Sequence, residues 1–78
     1  MEKIKYRYNG EYAVKYEPLI YKNKDSVELF DCVNWEFVDT KNMTVEWLAD
    51  LVAEIGWTGR DITEEEYNEI INKEKKED

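Results

Sequence analysis

Histidine is absent from the 78 residues, which removes the commonest general base and the commonest transition-metal ligand. A single cysteine, Cys32, excludes both a disulfide within the chain and a thiolate zinc site built from one copy. No cation or histidine lies near it in sequence to lower its pKa, so it reads as a small buried hydrophobe in a reducing compartment. The three glycines, Gly10, Gly56 and Gly59, form no phosphate-cradling loop. Asp39–Asn42 and Asp61–Glu66 lack the alternating donors and central glycine of a calcium loop. No apolar run approaches the roughly 18 residues that a membrane span needs, and the first six residues carry no signal-peptide core. Carboxylate pairs are so abundant that none stands out as a general acid and base. The expectation from these absences is a cytoplasmic protein that is not an enzyme, uses no cofactor or metal and has no membrane partner.

Negative charge and aromatic bulk are present instead. Nineteen acidic against eleven basic residues leave a net charge of −8. Residues 1–26 hold six basic and four acidic side chains, a net of +2; residues 27–78 hold five and fifteen, a net of −10. Such a chain repels nucleic-acid phosphates and is drawn to basic surfaces. Hydrophobic residues make up 42% of it, with three Trp, six Tyr and two Phe. At roughly 1.5–3 kcal/mol per fully buried large side chain, that supply lets residues 1–78 form one small domain.

Lys3–Tyr8 alternates as a half-buried strand, with Ile4, Tyr6 and Tyr8 on one face and Lys3, Lys5 and Arg7 on the other. Asn9-Gly10 is a hairpin signal, because both residues tolerate positive φ. Glu11–Tyr21 resumes the alternation through Tyr12, Val14 and Tyr16, and places Lys15, Glu11 and Glu17 to pair across the hairpin with Lys5, Arg7 and Lys3. Pro18 cannot donate to a ladder, so the second half of that strand bends, bulges or lies at an edge. Beyond the polar turn Lys22–Asp25, β-branched and aromatic density favours strand for Val27–Cys32 and Val33–Val38; a short helix capped by Ser26 is the alternative for the first of these.

The clearest pattern in the chain is Thr44–Gly56. Leu48, Leu51, Val52 and Ile55 recur at helical spacing, and Glu46, Asp50 and Glu54 form an acidic row on roughly the opposite face. Thr44 is the expected N-cap, Met43 and Leu48 a hydrophobic staple, Gly56 the left-handed C′ residue, and Trp57 a packing partner for Val52. A second helix opens on the capping box Thr63–Glu66 and an Ile62–Tyr67 staple. Its apolar stripe is narrow (Tyr67, Ile70, Ile71), Glu69 and Lys73 are ordered for an i,i+4 pair, and the tail Glu74–Asp78 is expected to fray. The expected fold is α+β: an N-terminal β-hairpin plus a third strand form a three-stranded antiparallel sheet, with two C-terminal α-helices covering one face.

Lys3, Lys5 and Arg7 alternate with tyrosines on the opposite face, and glutamates on the next strand dilute their field, so direct nucleic-acid binding is not expected. From Val27 to Glu69, by contrast, twelve acids stand against only Lys41 and Arg60. Residues four apart on a helix rise about 6 Å, similar in scale to the ~3.4 Å axial phosphate repeat of one duplex strand. The expected binding surface comprises Asp31, Glu36, Asp39, Glu46, Asp50, Glu54, Asp61, Glu64 and Glu65, with Trp35 or Trp57 as aromatic anchors. Its partner is a basic protein surface on a nucleic-acid-binding protein or nuclease, occupied in place of DNA or RNA. In composition alone the chain resembles, as a class, the small acidic inhibitors of restriction, repair and CRISPR nucleases made by phages and mobile elements. The alternative reading is a structural or assembly subunit, as a homodimer or part of a larger complex, with the acids serving solubility.

Overall fold

Asn9 and Gly10 set the register of everything around them. The Asn9 Oδ1 accepts the backbone N–H groups of Glu11 (2.9 Å) and Tyr12 (2.8 Å), and Gly10 takes a φ of +96° that other residues avoid. This turn joins β1 (Lys5–Tyr8) to β2 (Tyr12–Tyr16) with Arg7 opposite Val14 and Tyr8 opposite Ala13. Among the described residues the expected cross-hairpin pairings of Lys5 and Arg7 do not form. Lys5 faces Tyr16 and Lys15 faces Tyr6, because the Asn9 cap puts Gly10 and Glu11, not Asn9 and Gly10, at the tip. The computed structural model describes residues 4–73; the expectations for Lys3 and for the tail 74–78 lie outside the described residues.

The sheet is antiparallel and has five strands, not three, in the order β4-β3-β2-β1-β5. β3 (Glu28–Asp31) pairs with β2, as its β-branched and aromatic content suggests. β4 is only Glu36–Phe37, shorter than the expected 33–38. The Asp31 carboxylate accepts the N–H groups of Val33 (2.8 Å) and Asn34 (3.2 Å) and the Asn34 Nδ2 (3.0 Å), closing a turn over 32–35 that consumes half of that segment. β5 (Arg60–Ile62) adds to the free edge of β1, with Arg7 opposite Asp61. Three residues are too few to show a periodicity, so this strand reads in sequence as a connector.

Both faces of the sheet are covered, whereas the sequence suggested one. β2 and β3 carry apolar side chains in both directions, Val14, Tyr16 and Leu29 toward one side and Ala13 and Phe30 toward the other. Neither face can be left to water. α1 (Val45–Thr58) seats Leu48, Val52 and Ile55 on the first face. The chain then passes through β5 at the sheet edge and delivers α2 (Glu64–Asn72) to the second, where Tyr67 packs with Ala13, Phe30 and Ile62. The caps are as the sequence implies: Thr44 Oγ1 accepts from Trp47 N at 3.1 Å, and Thr63 with Glu66 completes a capping box. α1 differs at its end. It runs through Gly56 and Trp57 to Thr58, whose Oγ1 donates to the Glu54 carbonyl (2.8 Å) and accepts from Asn9 Nδ2 (3.0 Å). Gly59 then brings the chain against the Tyr8 carbonyl and the Asn9 Cα, an approach that leaves no room for a Cβ.

Candidate functional site

The outer face of α1 follows from the inner one. Once Leu48, Val52 and Ile55 are buried, the 100° step per residue turns Glu46, Trp47, Asp50, Glu54 and Trp57 to solvent. The three carboxylates are exposed, one turn apart. No basic residue occurs between Thr44 and Gly59. Like charges at i,i+4 cost a few tenths of a kcal/mol per pair, and Glu54 adds a negative charge near the negative end of the helix dipole. Glu46, in the first turn, is favoured by the same dipole, but no cation within the helix offsets the repulsion between the acids.

Two tryptophans share this face. Trp47 is 56% and Trp57 is 89% exposed. Neither ring stacks on another ring or on a cation among the described residues. The expectation that Trp57 packs against Val52 is corrected by the extra helical turn, which carries it outward. Trp35 behaves in the opposite way. It is half-buried in the α2-side cluster, edge-on to Phe30 at 5.2 Å between centroids. Its φ of 59° lies in the left-handed region and its buried Nε1 donates to no partner. Trp47 was not singled out from the sequence, although helical spacing puts it on the outer face; Trp57 was hidden by the glycine taken as the helix end.

The remaining acids are scattered. Asp31 is committed to its own turn, and the N–H groups of Asn34 and Val33 hold its carboxyl below the usual range. Asp39 accepts the Lys41 N–H at 3.0 Å, and Glu36 is exposed on the outermost strand β4. Asp61 lies at the opposite sheet edge and pairs with Arg7 (Nε to Oδ1, 3.2 Å). Glu64 and Glu65 are exposed in the first turn of α2, across the sheet from α1. The fold thus gathers Glu46, Asp50 and Glu54 with Trp47 and Trp57, and spreads the other acids over two edges and the far layer.

Arg7 is the cation that organises the inner side of α1. Its Nη1 donates to the Val52 carbonyl at 3.0 Å, its Nε to Asp61, and its Cζ lies 5.3 Å from the Tyr16 ring centroid. Burial raises the Tyr16 pKa, and Arg7 partly offsets that rise. Burial, with help from the neighbouring Asp31 charge, also raises the Cys32 thiol, which disfavours the thiolate.

Clefts open elsewhere among the described residues. One of about 420 Å³ is lined by Glu17 and residues 21–26, and one of about 220 Å³ by Ile4, Lys5, Tyr6, Asp61 and Ile62. Among the described residues no group of three or more potential ligands could hold a metal ion, and no helix is long and apolar enough to cross a membrane. Compared with protein-family models, with curated proteins and with solved structures, the chain matches none of them.

Proposed function

We propose that this is a non-enzymatic acidic interaction protein whose α1 outer face docks on the basic surface of a nucleic-acid-binding protein or nuclease and blocks it as a nucleic-acid mimic. One observation carries the reading: three exposed carboxylates in a row, flanked on the same face by two exposed indoles, with no cation in the helix. The like-charge row costs helix stability that no cation within α1 offsets. Bound to a basic groove, the same carboxylates gain charge-assisted hydrogen bonds, and their field speeds encounter. Tryptophan supplies the apolar contact that most often anchors such interfaces.

The test is affinity capture at low and high salt, comparing the natural chain with a Glu46→Lys, Asp50→Lys, Glu54→Lys variant whose fold is checked by circular dichroism. The expected result is a nucleic-acid-binding protein held by the natural chain at low salt, lost by the variant, and prevented from binding its own nucleic acid when captured. A partner retained equally by both chains would sink the proposal. So would a concentration-dependent dimer, indifferent to salt, that buries this face in sedimentation experiments.

A further inference from the structure

The order of residues along the outer face of α1 is specific. Trp47 and Asp50 are three apart, as are Glu54 and Trp57, so each indole has a carboxylate one turn away on the same face. The face therefore holds two aromatic–acid pairs in mirrored order, Trp47 with Asp50 and Glu54 with Trp57. Their midpoints are seven residues apart, or about 10 Å along the helix axis at 1.5 Å per residue.

Two basic side chains could answer the acids, and they differ in what they ask of the tryptophans. A lysine ammonium is a compact, strongly hydrated point charge that a carboxylate alone satisfies. An arginine guanidinium is planar and weakly hydrated; it stacks on an indole face while its edge forms a forked pair with a carboxylate. A site made for lysine gains less from an exposed tryptophan, because arginine is the commoner partner of an aromatic face. The protein contains a related grouping: Arg7 lies over the Tyr16 ring while its Nε makes a single contact to the Asp61 carboxylate. On the outer face of α1 the ring and the acid are in place twice, and the cation is missing from the helix itself.

Building on the docking role proposed above, we infer that the partner surface presents arginines, two of which seat on the Trp47–Asp50 and Glu54–Trp57 pairs. Arginines about 10 Å apart suit these positions, as supplied by residues seven apart on a partner helix or three apart on a polyproline II segment. The face is selective for guanidinium over ammonium at equal charge.

Fluorescence anisotropy with labelled octa-arginine and octa-lysine peptides tests this. The natural chain is expected to bind octa-arginine roughly five- to thirtyfold more tightly than octa-lysine at the same ionic strength. Trp47→Ala and Trp57→Ala are each expected to weaken octa-arginine binding about two- to fivefold and to weaken octa-lysine binding by less. Both residues are solvent-exposed, so neither variant threatens the fold. Equal affinity for the two peptides, with both lost in the Glu46, Asp50, Glu54 charge-reversal variant, overturns the arginine selectivity and leaves the acidic docking face standing. A preference that survives in the double tryptophan variant also overturns it. Failure of both peptides to bind removes the docking face as well.

Discussion

Arg7 lies against the bare Cα of Gly56, where an added Cβ would come within 2.6 Å of the arginine Nη1. The glycine is therefore a contact surface inside α1 and not the end of the helix. Through that contact Arg7 reaches the Val52 carbonyl at 3.0 Å and joins α1 to β1 and β5. Helix propensity alone favours Gly56→Ala by about 1 kcal/mol. With Arg7 present, the methyl group displaces the guanidinium and forfeits its hydrogen bonds, each worth about 1 kcal/mol or more. Gly56→Ala is expected to destabilise the natural chain and to stabilise an Arg7→Ala chain. Denaturant unfolding of the four proteins of this double-mutant cycle measures the change of sign; a stabilising Gly56→Ala in both backgrounds would disprove the contact's role.

Neutralising the outer row of α1 separates stability from binding. Glu54→Gln relieves one like-charge pair and an unfavourable dipole interaction, and is expected to stabilise the fold by a few tenths of a kcal/mol, up to about 1. The gain shrinks as salt is added. Thermal unfolding at two ionic strengths checks this, and a loss of stability on substitution would show that the carboxylate has a structural partner.

Tyr67 governs the alkaline limb. Its hydroxyl donates to Glu28 Oε1 at 2.8 Å, and burial, then that hydrogen bond and the Glu28 charge, push its pKa far above the ordinary value near 10. The folded state therefore keeps a proton that the unfolded chain releases above about pH 10, so stability present below that pH falls as pH rises. Tyr16, also raised, acts in the same direction. Tyr67→Phe is expected to cost about 1 kcal/mol near neutral pH, because Glu28 is exposed and recovers water, and to flatten the fall above pH 10 without abolishing it. An unchanged alkaline limb would contradict this account.

Glu66 works at the acid end. Its carboxylate accepts the Thr63 N–H at 3.0 Å, and that bond, with smaller help from Arg60, holds its pKa below the ordinary carboxylate value. The unfolded chain takes up a proton first as pH falls, so the capping contribution is present above the unfolded pKa and lost as pH drops through the lower folded one. Amide protection factors in the first turn of α2 are expected to fall over that interval and to be insensitive to it in Glu66→Gln; protection that is flat with pH in the natural chain would rule this out.

Short-range chemistry was legible in the residues alone. Thr44 and the Thr63–Glu66 box start both helices where capping physics puts them, because an N-cap bonds only to its own first turn. The amphipathic spacing of Leu48, Val52 and Ile55 defined the buried side of α1 and, by subtraction, the acidic outer row. The α+β class and the strand at β3 followed from local composition. Tertiary pairing decided the rest. Arg60–Ile62 became a strand because the β1 edge was free, and Gly56 stayed within the helix, its missing side chain leaving room for Arg7. The two helices took opposite faces because β2 and β3 are apolar on both sides. That last fact scattered the acids of β4, β5 and α2 away from α1 and, with the helix extended to Thr58, left Trp57 in solvent beside Glu54. Hydrogen bonds within a turn are written in neighbouring residues; which edge, face or side chain is vacant depends on residues tens of positions away.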